Sequence, residues 1–160
     1  LIVLDTMNFW MDNFMPDLKE ALKNTDVLTI NDDEARQLSG EYSLLIAAKK
    51  ILTMGPKYLI IKKGEHGAIL FGENKMFFSP AVMLENVIDP TGAGDSFAGG
   101  FIGYLAKTKE ITFDNMKKAV VYGTVLASFT VEKLGIESIE NIEEEKVNKR
   151  LAEIRSVVSF

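Results

Sequence analysis

With 160 residues, 47% of them hydrophobic, the chain is long enough for one well-buried domain and too short for two ordinary ones. Its 18 basic and 23 acidic residues give a net charge of -5 and form no basic block, so no nucleic-acid partner is expected. Cysteine is absent and no apolar run reaches the length of a membrane helix, which argues against disulfides, thiolate metal sites and membrane spans and predicts a cytoplasmic protein.

Apolar segments of strand length alternate with helical patterns along the chain. Strands are predicted at residues 1–4, 27–30 and 58–61, a hairpin at 68–71 and 76–78, a last short strand at 87–88, and helices at about 13–23, 33–38, 43–52, 95–106, 113–132 and 143–157. Apolar strands that alternate with helices are typical of a mostly parallel sheet covered on both faces. The predicted fold class is therefore α/β, a three-layer α/β/α arrangement that forms a single domain over residues 1–160.

Polar residues and glycines follow four of the predicted strands. They occupy residues 5–8, 31–34, 62–67 and 89–95. Ligands of such sheets bind beyond the carboxyl ends of the strands. We therefore expect these four segments to form one polar rim, which is the candidate site.

The segment DPTGAGD, residues 89–95, carries the strongest signal of the four. Gly92 and Gly94 permit backbone conformations that most residues avoid, so the N–H groups of residues 92–95 can converge at the start of the next helix. The partial positive charge of a helix start favours a phosphate or a developing oxyanion. Asp95 lies in the first helical turn, where it is placed to accept a proton from a substrate hydroxyl. A weak base is sufficient for phosphoryl transfer, which depends mostly on positioning and charge stabilisation.

A purely structural interpretation of the same residues stays open. Glycine-rich turns before a helix are common in α/β proteins, and Asp95 is then only a helix cap. Two other nucleotide motifs do not fit the chain. A dinucleotide fingerprint that starts at Gly92 would need a glycine where Phe97 stands, and the pattern G-x-x-x-x-G-K-[ST] does not occur.

The DPTGAGDSFAGGF segment resembles the C-terminal signature of the ribokinase-like family, also called the PfkB carbohydrate kinases. Asn31-x-x-Glu34 resembles the N-x-x-E motif of the family, and residues 63–68, KGEHGA, resemble its nucleotide-binding strand end. The resemblance implies an enzyme that uses ATP and Mg²⁺ to phosphorylate a hydroxyl group of a small-molecule sugar or nucleoside. A non-catalytic module that binds a nucleotide or anion is the competing class.

The resemblance also implies roles for individual residues. Asp95 would deprotonate the acceptor hydroxyl, while Gly92, Ala93 and Gly94 would stabilise charge on the transferring phosphoryl group. The remaining implied contacts are to the nucleotide and its cations: Asn31 and Glu34 at magnesium and the phosphates, Lys63, Gly64 and Gly67 beside the nucleotide, Gly135 on the adenine side, and Asp89 at a monovalent-cation site for K⁺.

Structural alternatives remain for several of these residues. Asn31 or Asp32 can instead cap a helix that begins with an acidic turn, and Lys63 with Gly64 can be an ordinary strand exit. The sugar-binding residues and the β-sheet lid of the family lie mainly in its N-terminal half. We therefore expect this chain to be the ATP-side C-terminal portion, without assured activity on its own, and its uncovered strand edge leaves a homo-oligomer open.

Overall fold

The computed structural model describes residues 1–159 and leaves Phe160 outside the described part. The strands are β1 (Val3–Asp5), β2 (Val27–Asn31), β3 (Tyr58–Lys62), β4 (Ala68–Gly72) and β5 (Lys75–Ser79), and a single 3-10 turn spans Gly64–His66. The α-helices are α1 (Asn8–Asn13), α2 (Met15–Lys23), α3 (Asp32–Ser39), α4 (Leu44–Leu52), α5 (Ala93–Thr108), α6 (Phe113–Thr130) and α7 (Glu144–Val158).

Nearly every predicted element is present, with two differences. Helix α1 was not predicted, because residues 8–13 carry no helical apolar period and only Met11 is buried. The short strand predicted at residues 87–88 is wrong, because the structure has no strand there. The Ile88 N–H donates instead to the carbonyl of Val131, at 2.8 Å.

The five strands form one mixed sheet in chain order. β1, β2 and β3 pair in parallel, with Val3, Val27 and Tyr58 in register. β4 follows β3 after residues 63–67, and β5 follows β4 after residues 73–74. Connections this short cannot cross over a sheet, so these two pairings are antiparallel. The α/β prediction is confirmed.

The chain divides into two compact units. Unit 1 comprises residues 1–64 and 69–78, and unit 2 comprises residues 65–68 together with the chain from residue 79 onward. The expectation of a single domain stays a prediction. No helix within residues 1–159 is long and apolar enough to cross a membrane.

In unit 1 the core lies between the parallel strands and their crossover helices. The first four residues of β2 and of β3 are buried, whereas the last residue of each is polar, Asn31 and Lys62. Leu22 of α2 and Ile51 of α4 are fully buried in the same core. The apolar runs therefore fix these strands in the interior and leave their carboxyl ends to polar side chains.

In unit 2 the helices α5 and α6 pack through glycines. A Cβ atom built on Gly123 would lie 2.6 Å from the carbonyl oxygen of Phe97, and one on Gly100 would lie 3.1 Å from the Cα atom of Gly123. Such distances are too short for a side chain, so the two backbones touch directly. A Cβ on Gly99 or Gly103 would meet nothing within 4 Å, so packing does not explain these two glycines.

Helix α7 covers the far side of α6. Val147 and Ile154 of α7 are buried against Val125 and Phe129 of α6. The guanidinium of Arg150 lies over the Phe129 ring at 3.6 Å. The same guanidinium donates to the Ser128 hydroxyl at 2.7 Å and to a Glu132 carboxylate oxygen at 2.6 Å, which ties α7 to the C-terminal end of α6.

Candidate functional site

Helix α5 begins earlier than the sequence predicted, and this changes the position of Asp95 within it. Gly92 is the N-cap, with φ 81° in the left-handed region, and Ala93 is the first helical residue. Glycine is the residue that adopts this conformation at least cost. Asp95 is the third helical residue and lies in the first turn, as predicted, but no side chain caps the helix. The alternative in which Asp95 serves as the N-cap is therefore wrong.

The start of α5 leaves hydrogen-bonding groups open. The Ala93 N–H donates to the Pro90 carbonyl at 3.1 Å, so this amide is already used. The N–H groups of Gly94 and Asp95 have no backbone acceptor within the described chain. The Asp95 side chain is exposed, and no donor among residues 1–159 bonds to its carboxylate. This turn therefore combines free amide donors and a helix dipole with an unengaged carboxylate.

The turn before α5 is held by the C-terminal end of α6. The carbonyl of Val131, the C-cap of α6, accepts from the Ile88 N–H at 2.8 Å and from the Asp89 N–H at 3.3 Å. The Thr130 hydroxyl donates to the Ser96 hydroxyl at 2.7 Å. Thr130 and Val131 were missed by the sequence analysis, because nothing local marks residues that meet a turn so far away in the chain.

Asp89 closes the turn from within. Its carboxylate accepts from the Thr91 N–H at 2.9 Å. This backbone hydrogen bond, followed by one from the Thr91 side chain, lowers the pKa of Asp89 below its usual value. One carboxylate oxygen of Asp89 is thus engaged in folding the turn, and its assignment to a cation site stays a prediction.

The two other glycines predicted in unit 2 have different surroundings. Gly67 has φ 84°, and a Cβ atom there would lie 2.0 Å from the Ser79 carbonyl oxygen. The fold alone therefore requires glycine at position 67. Gly135 lies in the exposed turns after α6, where an added Cβ would meet nothing within 4 Å. Their nucleotide contacts remain predictions.

In unit 1 the structure brings Asn31 and Glu34 together at the start of α3. Asn31 is the N-cap, and its side-chain oxygen accepts from the Glu34 N–H at 2.8 Å. The Glu34 carboxylate accepts in return from the Asn31 N–H at 2.9 Å. This reciprocal pair is a capping box, so the capped-helix alternative for Asn31 is confirmed. Their role at magnesium and the phosphates is not tested by this geometry and stays a prediction.

Glu34 is unusual among the carboxylates because it is buried, with 7% of its surface exposed. Burial raises the pKa of Glu34, against the hydrogen bond from the Asn31 backbone and the positive charge of Lys62, which lower it. Lys62 itself pairs with Asp5 at 2.7 Å across the ends of β3 and β1. The carboxyl edge of the parallel strands therefore carries a charged cluster.

Two lysines lie at the end of β3. Lys62, which joins this cluster, was predicted only as part of the polar segment 62–67 and was given no role of its own. Lys63, the predicted nucleotide contact, is half-buried and has no ion-pair partner in the described part of the chain. Gly64 opens the 3-10 turn that follows. Lys62 is the last residue of β3, one position before Lys63. In the sheet it lies beside Asn31, the last residue of β2, and this pairing places it at the carboxyl edge.

The acidic residues do not form a self-contained metal centre. Within residues 1–159 no group of three or more His, Asp or Glu side chains is arranged to hold a metal ion. Glu34 and Asp89 each use one carboxylate oxygen in the fold. Mg²⁺ commonly binds one or two carboxylates together with substrate phosphates, and the residues present fit that mode only.

Comparison with known proteins identifies the relatives of the chain. Residues 2–142 match the pfkB family of carbohydrate kinases. A ribokinase of Staphylococcus aureus is 34% identical over 131 residues, which cover 78% of this chain and 41% of that protein. The chain spans less than half the length of the curated relatives it first matches, 22% in one case and 41% in another.

Solved structures agree with this assignment. A nucleoside kinase of Methanocaldococcus jannaschii, an archaeal member of the ribokinase family, superposes with a TM-score of 0.75 at 27% identity, over 96% of this chain and 48% of that one. The Arabidopsis thaliana ribokinase complexed with ribose and ATP gives a TM-score of 0.71 at 26% identity, over 83% of this chain and 43% of that one. The resemblance seen in residues 31–34, 63–68 and 89–101 is thus confirmed, and the chain belongs to the pfkB family of carbohydrate kinases.

Proposed function

We propose that this chain is the ATP-side portion of a kinase that transfers the γ-phosphoryl group of ATP to a hydroxyl group of a sugar or nucleoside. Membership of the pfkB family supports this proposal. So do the relatives whose names state ribokinase and nucleoside kinase activities, and the relative solved with ribose and ATP. The sugar or nucleoside class of the acceptor is taken from those names.

One observation carries the proposal: the Asp95 carboxylate is exposed in the first turn of α5 and has no donor within residues 1–159. A first-turn aspartate that only favours the helix dipole can also be exposed and unbonded, as Asp17 of α2 is. Asp95 differs in its position directly after the left-handed Gly92, beside the unengaged N–H groups of Gly94 and its own backbone. A base and an anion-binding turn therefore coincide within four residues, Gly92 to Asp95.

In the proposed reaction the acceptor hydroxyl gives its proton to an oxygen of Asp95. The hydroxyl oxygen then forms a bond to the γ-phosphorus while the bond from that phosphorus to the bridging oxygen of ADP breaks. Negative charge on the γ-phosphoryl oxygens faces the Gly92, Ala93 and Gly94 turn, where the helix dipole and the open N–H groups of Gly94 and Asp95 stabilise it. A bound magnesium ion would neutralise part of the charge on the phosphates.

The remaining predicted residues act on the nucleotide in this proposal. The family resemblance implies these roles residue by residue: Lys63, Gly64, Gly67 and Gly135 as nucleotide contacts, Asn31 and Glu34 at the phosphates and magnesium, and Asp89 at a monovalent cation such as K⁺. The capping box leaves one carboxylate oxygen of Glu34 outside its reciprocal pair, which is compatible with a contact through water.

The test replaces Asp95 by Asn and uses Asp17→Asn as the matched control. Asp17 is likewise the third residue and first-turn acid of a helix, α2, and it is exposed. In the complete kinase, Asp95→Asn should lower kcat by about 10²–10⁴-fold, the usual contribution of a general base. Asp17→Asn should leave kcat unchanged. An unaltered transfer rate in Asp95→Asn would refute the base assignment.

Calorimetric titration of this chain with magnesium-ADP, with NADH as the comparator, separates an enzyme from a binding module. The Asp95→Asn variant should keep its affinity for magnesium-ADP while losing turnover. The alternative outcome is that Asp95→Asn and the unmodified chain bind magnesium-ADP equally and the unmodified complete protein transfers phosphate to no sugar or nucleoside. In that case the chain is a nucleotide-binding module and the kinase proposal fails.

A further inference from the structure

Thr130, the last residue of α6, makes a hydrogen bond that joins two helices. Its side chain is almost fully buried, with 2% exposed. Its hydroxyl donates to the Ser96 hydroxyl at 2.7 Å, across 34 residues of sequence. Ser96 directly follows Asp95 in the first turns of α5. The bond therefore acts on the backbone next to the proposed base.

This contact is not needed to satisfy the buried hydroxyl of Thr130. A second acceptor, the Leu126 carbonyl one turn back in α6, lies 3.4 Å from the same hydroxyl. The other buried hydroxyl groups of α6 donate within their own helix, Thr124 to the Val120 carbonyl at 2.9 Å and Ser128 to the Val125 carbonyl at 2.6 Å. Thr130 instead makes its shorter bond to the neighbouring helix.

The backbone beside Thr130 holds the other end of the same turn. The Val131 carbonyl accepts from the N–H groups of Ile88 and Asp89. Residues 130 and 131 thus make hydrogen bonds to the segment 88–96 on both sides of Gly92. A turn held at two points by one helix end has little freedom to shift its central residues.

We propose that Thr130 is a positioning residue for phosphoryl transfer: through the Ser96 hydroxyl it fixes the first turn of α5 and hence the Asp95 carboxylate. This inference rests on the proposed kinase function. A displacement of about 1 Å at a reacting group costs on the order of 10²-fold in rate. Thr130 touches neither the acceptor nor the nucleotide in this proposal and acts only through Ser96.

The experiment compares Thr130→Val, which removes the hydroxyl at nearly constant volume, with Thr130→Ser, which keeps it. Thr124→Val is the matched control, because Thr124 is a buried threonine of the same helix that bonds only to its own backbone. In the complete kinase, Thr130→Val should lower kcat about 10- to 100-fold and change KM for ATP by less than about threefold. Thr130→Ser keeps the hydroxyl, so its kcat should stay close to that of the unmodified kinase.

A double variant tests whether Ser96 transmits the effect. Ser96→Ala should lower kcat as Thr130→Val does, and the combination should be no worse than either single change, because both remove the same hydrogen bond. An unchanged kcat in Thr130→Val would overturn the proposal. So would an equal loss in Thr124→Val, since that result would mean a general effect on α6.

Amide hydrogen exchange separates this proposal from the proposed function. The N–H groups of Ala93 and Ser96 are hydrogen-bonded within the turn. In this chain, Thr130→Val should make them exchange about tenfold faster, while Thr124→Val should not. If the unmodified kinase transfers phosphate to no acceptor, the proposed function fails and faster exchange still supports Thr130 as the anchor of the turn. Unchanged exchange in Thr130→Val would refute the anchoring itself.

Discussion

The starts of helices α3 and α5 are both formed by segments that resemble motifs of the same family, yet their hydrogen bonding is opposite. At α3, Asn31 and Glu34 bond to each other's backbone, so the side chains close the helix start. At α5, the N-cap is Gly92, no side chain caps the helix, and the Asp95 carboxylate is exposed. Polar groups are satisfied by the protein itself in the first case and left open in the second.

This difference separates stabilising residues from residues available to a ligand. A closed start lowers the free energy of the folded state by satisfying orphan N–H groups. An open start forgoes that contribution and keeps the same N–H groups for an anion. We therefore expect changes at Asn31 to act first on stability and changes at Asp95 to act first on function.

The largest effect in this comparison is expected from Gly92→Ala. Gly92 has φ 81°, which costs an alanine about 1–2 kcal/mol in the folded state. Gly40→Ala is the control, because Gly40 ends α3 with a similar φ of 73°. Chemical denaturation should show similar losses of stability, whereas calorimetry should show weaker magnesium-ADP binding in Gly92→Ala alone. Equal affinities in the two variants would mean that the α5 turn binds no phosphate.

A smaller loss is expected from Asn31→Ala, which opens the closed start of α3. Removal of an N-cap side chain costs about 1 kcal/mol. Ser43→Ala is the matched control, since Ser43 is the N-cap of α4 but makes no capping bond. Urea unfolding should find Asn31→Ala less stable and Ser43→Ala nearly unchanged. Equal stability of the two variants would contradict a capping role for Asn31.

Glu34→Gln separates capping from cation binding at the same residue. Glutamine keeps an oxygen that can accept from the Asn31 N–H, so the stability should change by less than about 1 kcal/mol. Burial raises the pKa of Glu34 above its usual 4.5, so its contribution to stability is greatest at low pH and is lost as the pH rises through the folded pKa. Relative to the unmodified chain, the free energy of unfolding of Glu34→Gln should therefore be lower in acid and should rise as the pH increases to neutral.

The same variant also tests the predicted magnesium contact. If Glu34 serves magnesium, Glu34→Gln should need more Mg²⁺ to bind ADP, as measured by calorimetry at several Mg²⁺ concentrations. An unchanged Mg²⁺ requirement would leave Glu34 with the capping role alone.

Asp89→Asn should give the smallest change, with the opposite dependence on pH. Bonds from Thr91 lower the pKa of Asp89 below 3.8, so its ionised form contributes stability at neutral pH. That contribution is lost as the pH falls through the folded pKa. Unfolding at pH 7 should find the variant less stable, and the difference should shrink in acid. A difference that stays constant with pH would exclude the carboxylate charge as its source.

The strands and most helices could be predicted because their apolar patterns are local. β2 and β3 are uninterrupted apolar runs, and both are buried as expected. Helix α1 was not predictable in this way, since Phe9 and Trp10 remain 49% and 45% exposed and give no periodic burial signal. The apolar pair Val87 and Ile88 misled for the related reason that both side chains are exposed, at 59% and 62%.

The candidate site was predictable only where a short motif carries the chemistry. The sequence alone placed Asp95 in the first turn of a helix after a glycine turn. The predicted polar rim already included Asp5 and Lys62, but nothing in the sequence indicated that Ser96 meets Thr130, a pair separated by 34 residues. Such contacts depend on how helices and strands pack, and no local pattern reports them.

The glycine contact between α5 and α6 has a consequence for natural variation. Gly123 has no side chain that could take part in the chemistry, and it lies 28 positions after Asp95 in the chain. Even a methyl group there would press on the backbone of Phe97, two residues beyond the proposed base. A substitution at Gly123 that looks conservative in an alignment would thus shift the start of α5 from inside a helix, with every residue of the proposed site still in place.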